Sequence, residues 1–372
     1  MPAMAAPTTI ELTRCVDALE QGMTDGLHVG VQGYVGFLGR EGTSIARGEA
    51  RPGVAMTDDT LTLWLSAGKP ITAVAVAQQV EAGRLALDTP VAHYLPAFGA
   101  RGKQGITVRH LLTHTAGVRV ADFRFPRDDW ATIIERICAA PIERGWEPGA
   151  KAGYHVDTAW YILGELVQRV ADEPLPSYLR RRVFEPAGMG DAFLGLDDRR
   201  YEAVADRLLV MMNTRSAPPT PAGYEQRAAV VQPRPGGNAH GPARQLARFY
   251  EAMLDDGGGL IAPETARLMT SPQRVGMRDE TFKHQMDWGL GFMVNSIRYG
   301  DTVPYGFGPH ASQACFGHGG SQSSIALADP AHKLVVAIVC NGMPGEPAHQ
   351  QRMGRVLAAV YEDLGLATGA EA

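Results

Sequence analysis

Segments that read as β-strand lie near the two ends of this 372-residue chain, and the stretch between them reads as helix. Val29 to Leu38 is a strand pattern closed by Gly39, Arg40, Glu41 and Gly42, and Thr43 to Ala50 reads as its hairpin partner. Strand character returns only at Trp288 to Asn295, Ser324 to Ala328 and Lys333 to Cys340. That distribution implies one sheet built from both termini, with a helical domain inserted. Hairpin-type connections make the strands largely antiparallel, so the expected class is α+β. The division is a sheet domain from residues 1–60 and 270–372 and a mostly helical domain over 61–269. Thr8 and Glu11 form a capping-box pattern for a first helix, and Ala243 to Leu254 and Arg352 to Leu364 read as later helices.

Within the helical part, one stretch carries chemistry. Leu61 to Leu65 is an apolar run leading into a core, and Thr72 to Val80 is rich in Ala and Val with no breaker, which reads as a buried helix. Proline is tolerated in a helix only in its first turn, so Pro70 places Ser66 at or next to the helix start. Ser66 and Lys69, three residues apart, then share one face. A serine hydroxyl becomes nucleophilic when a base takes its proton. A lysine can be that base when burial or a neighbouring cation lowers its pKa. Lysine is scarce here, confined to Lys69, Lys103, Lys151, Lys283 and Lys333, so one in an apolar setting stands out.

Two further stretches are candidates to converge on Ser66. A Pro148-Gly149 turn presents Tyr154 on a loop just before a helix beginning near Trp160. A phenolate there, beside a lysine ammonium, could act as base and return the proton to a leaving group. Alone, a tyrosine in this setting more often packs. His155, next to it, either lines the cleft or points away. The run Phe316-Gly317-His318-Gly319-Gly320-Ser321 puts glycines beside a strand, where a ligand can approach backbone N–H groups.

Together these segments resemble the serine β-lactamase and penicillin-binding-protein superfamily, in its class C-like esterase branch. Ser66 and Lys69 match its Ser-x-x-Lys motif, Tyr154 the tyrosine of Tyr-x-Asn, and His318-Gly319-Gly320 the place of Lys-Thr-Gly. Met56 to Thr60, His110 to Gly117 and Phe184 to Met189 also look like family segments in family order, and the resemblance covers roughly residues 10–362. It implies a β-lactamase/transpeptidase-like fold and a serine hydrolase that forms an acyl-enzyme on Ser66. Lys69 and Tyr154 share the proton work, and the N–H groups of Ser66 and Ser321 form the oxyanion hole. His318, Gly319, Gly320 and His155 line the substrate pocket. Two departures stand out: the Asn of Tyr-x-Asn is Val156 and the Lys of Lys-Thr-Gly is His318. Both leave the acylation residues and weaken the case for β-lactam turnover. The expected activity is a carboxylesterase on a small ester or amide substrate. One alternative is acyl transfer to an alcohol or amine acceptor, and another is a non-hydrolytic acyl sensor or scaffold.

Composition narrows the remaining classes. A net charge of −5 with no basic cluster argues against a nucleic-acid partner. His110 and His114 have metal-ligand spacing, but no Glu follows His110, so this is not His-Glu-x-x-His; the resemblance implies that both are structural and that no metal is bound. No Gly-x-Gly-x-x-Gly or phosphate loop appears, so no cofactor is expected either. Cys15, Cys138, Cys315 and Cys340 are widely spaced and give no disulfide or zinc pattern. No stretch approaches the ~18 apolar residues of a membrane span, and residues 1–7 lack a basic, then apolar, leader pattern. A soluble, cytoplasmic protein is the expectation.

Overall fold

A computed structural model describes residues 10–38 and 41–367. Thr8 and the turn residues Gly39 and Arg40 lie outside the described residues. The first helix, α1, spans Thr13–Thr24 and has no side-chain cap of its own. Its free N–H groups are met from the other end of the chain: the amides of Arg14 and Cys15 donate to the Asp363 carboxylate at 3.1 and 2.9 Å. A carboxylate is favoured at a helix N-terminus by the dipole.

The main sheet has eight strands, drawn from both ends of the chain. They are β1 Gly30–Phe37, β2 Thr43–Arg51, β3 Val54–Ala55, β4 Asp287–Trp288, β5 Met293–Val294, β6 Phe316–Gly320, β7 Ser324–Asp329 and β8 Leu334–Cys340. Their spatial order is β3-β2-β1-β8-β7-β6-β5-β4. Every pairing in it is antiparallel, with Tyr34 opposite Ala337 and His318 opposite Ala326. The class is α+β.

The single strand expected over Trp288 to Asn295 is two short strands, β4 and β5, folded against each other. Gly291 makes the reversal at φ +82°, which a side chain would strain, and its N–H donates to the Leu112 carbonyl.

The strands at the sheet's centre are apolar on both faces because both faces are covered. Ala326, Ala328, Val335, Ala337 and Val339 pack with α2 (Lys69–Glu81), α3 (Thr158–Ala171) and α4 (Ala243–Leu254). The alternate residues Ile325, Leu327, Leu334, Val336 and Ile338 pack with α1 and with α5 (Glu346–Asp363). The period of two in the side chains thus divides one strand between two cores. Helix α5 starts six residues before the expected Arg352, because Gly345 at φ +102° breaks the chain and Pro347 sits in the first turn.

Helix α2 is buried from Lys69 to Gln79, on all sides. A helix that is apolar all round belongs in the interior, and this one carries Lys69 there with it. Among the described residues, no helix is long and apolar enough to cross a membrane.

Candidate active site

The turn that carries Ser66 is clamped before α2 begins. Thr62 and Leu63 pair with Gly241 and His240 of the short strand Ala239–Gly241. Trp64 donates its indole N–H to Gly241 O at 2.9 Å, and its own carbonyl accepts from Ser324 Oγ at 2.6 Å. Leu65–Gly68 then form a 3-10 turn. Leu65, buried in an apolar cluster, has φ +49°, a left-handed conformation that costs a leucine about 1 kcal/mol. Strand β6 presses on this turn: a Cβ at Gly320 would sit 2.6 Å from the Trp64 carbonyl oxygen. Only a glycine strand end comes this close.

Ser66 is half-buried, and Lys69 behind it is 0 % exposed. Lys69 Nζ lies 2.9 Å from Ser66 Oγ and donates to the Gly236 carbonyl at 2.5 Å. It stands 5.2 Å from the centre of the Tyr154 ring and 5.6 Å from that of Trp160. Burial pulls its pKa from the ordinary lysine value down to about 7, with the Asp157 carboxylate opposing the shift and the Arg234 guanidinium adding to it.

Tyr154 is hydrogen-bonded to the Ser66 side chain. Burial holds its phenol well above the ordinary tyrosine value, and the neighbouring Ser66 hydroxyl only partly offsets that. The phenolate considered from sequence is therefore disfavoured. Near neutral pH the proton stays on Tyr154, while the lowered pKa of Lys69 brings its amine form within reach. As an amine, Lys69 can keep its donation to Gly236 while accepting from the Ser66 hydroxyl.

The Tyr154 backbone is anchored by residues with no signal in the sequence. Its amide donates to Asp279 Oδ1 at 3.0 Å, and its carbonyl accepts from Thr281 Oγ1 at 3.0 Å. Asp279 is held by Arg274 at 3.1 Å, both side chains sealed from solvent. Arg274 also donates to the Thr113 carbonyl at 3.1 Å. The His110 to Gly117 segment lies directly beneath. His114 packs 4.7 Å from the Tyr154 ring, and its Nδ1 accepts from the His155 amide at 3.0 Å. His110 closes the N-terminal cap of Val108–Leu112.

The expectation that His155 lines the pocket is corrected. It is fully buried, and its Nε2 accepts from the Val118 amide at 3.1 Å, so its ring fixes the loop behind Tyr154. His318 is likewise not an open-cleft contact. It is 1 % exposed, wedged between the rings of Tyr154 and Trp288 at 6.0 and 5.5 Å, with Nδ1 2.7 Å from the Gly319 carbonyl. Burial first, then the charge of Lys69, lowers its pKa to about 3, so this position carries no cation at neutral pH. On the neighbouring residue, the Tyr305 ring lies over Gly319, where a Cβ would collide at 2.2 Å.

The Ser321 amide lies one residue beyond the last paired position of β6, at Gly320. The Ser321 side chain donates to Glu346 Oε1 at 3.0 Å, and Tyr305 donates to Glu346 Oε2 at 2.5 Å. Glu346 and Tyr305 carried no sequence signal beyond a Gly-Glu-Pro helix start. Among the described residues there is no cluster able to hold a metal ion.

The chain was compared with known proteins. The family model described as Beta-lactamase matches residues 17–361. Esterase EstB of Burkholderia gladioli is 29 % identical over 323 residues, spanning 77 % of this chain and 80 % of that protein. Penicillin-binding protein 4 of Amycolatopsis lactamdurans is 29 % identical over 300 residues, spanning 78 % and 74 %. The crystal structure of a family VIII carboxylesterase superposes with a TM-score of 0.78 at 27 % identity, covering 97 % of this chain and 99 % of that one. The fold is thus that of β-lactamases and transpeptidases, the activity class is serine hydrolase, and the chain belongs to the Beta-lactamase family.

Proposed function

We propose that the protein is a carboxylesterase that cleaves small, uncharged esters through an acyl-enzyme on Ser66. The observation that carries this reading is the half-exposed Ser66 hydroxyl held 2.9 Å from a buried lysine whose pKa falls to about 7. Ser66 Oγ attacks the carbonyl carbon as its proton passes to the Lys69 amine. The Ser66 and Ser321 N–H groups hold the oxyanion, and the start of α2 adds favourable dipole. The C–O bond to the leaving group then breaks. Tyr154 gives its proton to the departing alkoxide and is reprotonated by Lys69. Water repeats the sequence on the acyl-enzyme, releasing the acid and Ser66.

Two features favour a neutral ester over a β-lactam. His318 is neutral and shielded, so it offers no cation to a substrate carboxylate. Val156 takes the place of the Asn of Tyr-x-Asn, so that motif offers no side-chain amide to an acylamino group. Losing a charge-assisted contact costs ~1.5–3 kcal/mol. The kcat/KM for a short-chain nitrophenyl ester should exceed that for nitrocefin by at least ~100-fold at neutral pH. Comparable rates would restore a β-lactamase reading. The same ester assay run with and without added alcohols, followed by mass spectrometry, separates the alternatives. Turnover in water is the expected result, turnover only with an acceptor marks an acyltransferase, and a stable Ser66 adduct marks a sensor.

A further inference from the structure

Two of the segments that face Lys69 come from distant parts of the chain and carry its contacts to Tyr154, Trp160 and Gly236. One is Tyr154 to Trp160, leading into α3. The other is the loop from Arg234 to Asn238, whose Gly236 carbonyl accepts from Lys69. A single ion pair joins them. Arg234 Nε and a terminal nitrogen donate to the two oxygens of Asp157 at 2.8 and 2.7 Å, a two-pronged contact that fixes orientation as well as distance. Both side chains are largely buried, at 22 % and 15 % exposure.

The rest of the loop is built around this arginine. The Arg234 amide donates to Asn238 Oδ1 at 2.7 Å, and its carbonyl accepts from the amides of Gly237 and Asn238 at 2.8 and 3.1 Å. Its guanidinium sits 5.2 Å from the centre of the Phe125 ring. The loop is tight where it meets the lysine: a Cβ at Gly236 would lie 2.7 Å from the Val156 carbonyl and 3.2 Å from Lys69 Nζ. A small rotation of the loop would therefore remove the one carbonyl acceptor that Lys69 has among the described residues.

We propose that Asp157 and Arg234 are positioning residues for the proton-carrying lysine: their ion pair locks the Tyr154 segment to the Gly236 loop and keeps the charge around Lys69 balanced. The proposal rests on the reading of Lys69 as the group that takes the Ser66 proton. The other groups facing Lys69 are accounted for. Ser66, Tyr154, Trp160 and the Gly236 carbonyl are uncharged, and burial keeps His114 and His318 neutral. Asp157 and Arg234 are then the charges that act on it, with opposite signs.

Opposite signs give a test that a merely structural pair would fail. The rate at which a fluorophosphonate labels Ser66, with fluoride leaving as the Oγ–P bond forms, should rise with pH through the lysine's titration. Arg234→Gln leaves Asp157 unbalanced, which favours the ammonium, and the midpoint should move up by at least about half a pH unit. Asp157→Asn leaves Arg234 unbalanced, and the midpoint should move down by a similar amount. The double variant should return towards the unmodified protein. Arg234→Lys keeps the charge and loses the fork, so its midpoint should stay while its labelling rate falls. Thermal unfolding of each variant confirms that folded protein is compared. Midpoints that do not move, or that move the same way in both single variants, overturn the proposal while leaving the serine–lysine reading intact. Unmodified protein that forms no Ser66 adduct overturns both.

Discussion

Lys69 and Lys103 are both sealed from solvent, yet they sit in opposite kinds of site. Lys103 Nζ donates to the carbonyls of Ala100 at 2.8 Å, Cys138 at 2.9 Å and Ala140. Cys138 and Ala140 lie at the end of the helix Trp130–Ala139, where a cation is favoured by the dipole and by unpaired carbonyls. All three of its N–H donors are used, and none of its partners can give up a proton. Burial, and then the Arg101 charge, lower its pKa as well, but each of its three carbonyl contacts favours the charged form. Lys69 has one carbonyl and one hydroxyl, and the hydroxyl can donate in return. A buried ammonium surrounded by carbonyls is a structural staple. A buried amine beside a hydroxyl is a base. The difference lies in the second partner and not in the depth of burial.

Exchanging each lysine should separate these roles. The largest effect is expected from Lys69→Ala, which should lower kcat for a nitrophenyl ester by ~10²–10⁴-fold, the range for loss of a general base. Lys103→Met should leave kcat within about twofold once folded protein is counted. Tyr154→Phe should cost ~10²-fold or more. The Lys69→Ala/Tyr154→Phe double variant should lose far less than the product of the two, because both act on one proton. Additive losses would place them in separate steps.

Stability should run the other way. Lys103→Met takes the side-chain donor from the Cys138 and Ala140 carbonyls, while Ala100 keeps the residue 103 amide, and should destabilise by roughly 2–3 kcal/mol in denaturant titrations. The folded-state pKa of Lys69 lies below the unfolded value, so the unfolded chain binds more protons between pH 7 and 10.5. This group's contribution therefore improves as pH rises through that window, and its full penalty is present below about pH 7. Lys69→Met removes the penalty and should raise stability at pH 6 by roughly 1–2 kcal/mol after the orphaned Gly236 carbonyl is counted. A loss of stability in Lys69→Met would make the two lysines alike and sink the contrast. The smallest effect is on pH dependence: the acid limb of kcat/KM should fall near pH 7, and Lys103→Met should not shift it.

Local chemistry explains what could be read in the chain. Pro70 and the Ala/Val run place Ser66 and Lys69 on the first turns of a buried helix, and α4 spans the expected Ala243 to Leu254. Both rest on neighbours within a few residues, where spacing and proline geometry decide the outcome. Strands β7 and β8 are legible because a sheet buried on both faces demands apolar runs, and β1 and β2 because a glycine-bounded turn separates two strand patterns. The split of residues 288–295 into β4 and β5 was not, because it depends on Gly291 meeting Leu112 from far along the chain.

Residue types and spacing in the chain mark the side chains suited to acyl chemistry and most of the sheet, but not β3 or β6. Tertiary structure decided the protonation states and the supports. Burial, a property of the packed interior, lowers Lys69 and raises Tyr154, and so exchanges the roles that unperturbed pKa values would assign. Packing also turned His155 towards Val118 and sealed His318 between Tyr154 and Trp288, which no spacing rule could show. The ion pairs Arg274–Asp279 and Arg234–Asp157, and the hold of Asp363 on α1, join residues that only the folded chain brings together. Contacts of that kind carry no local pattern, because their geometry is set by the elements between them.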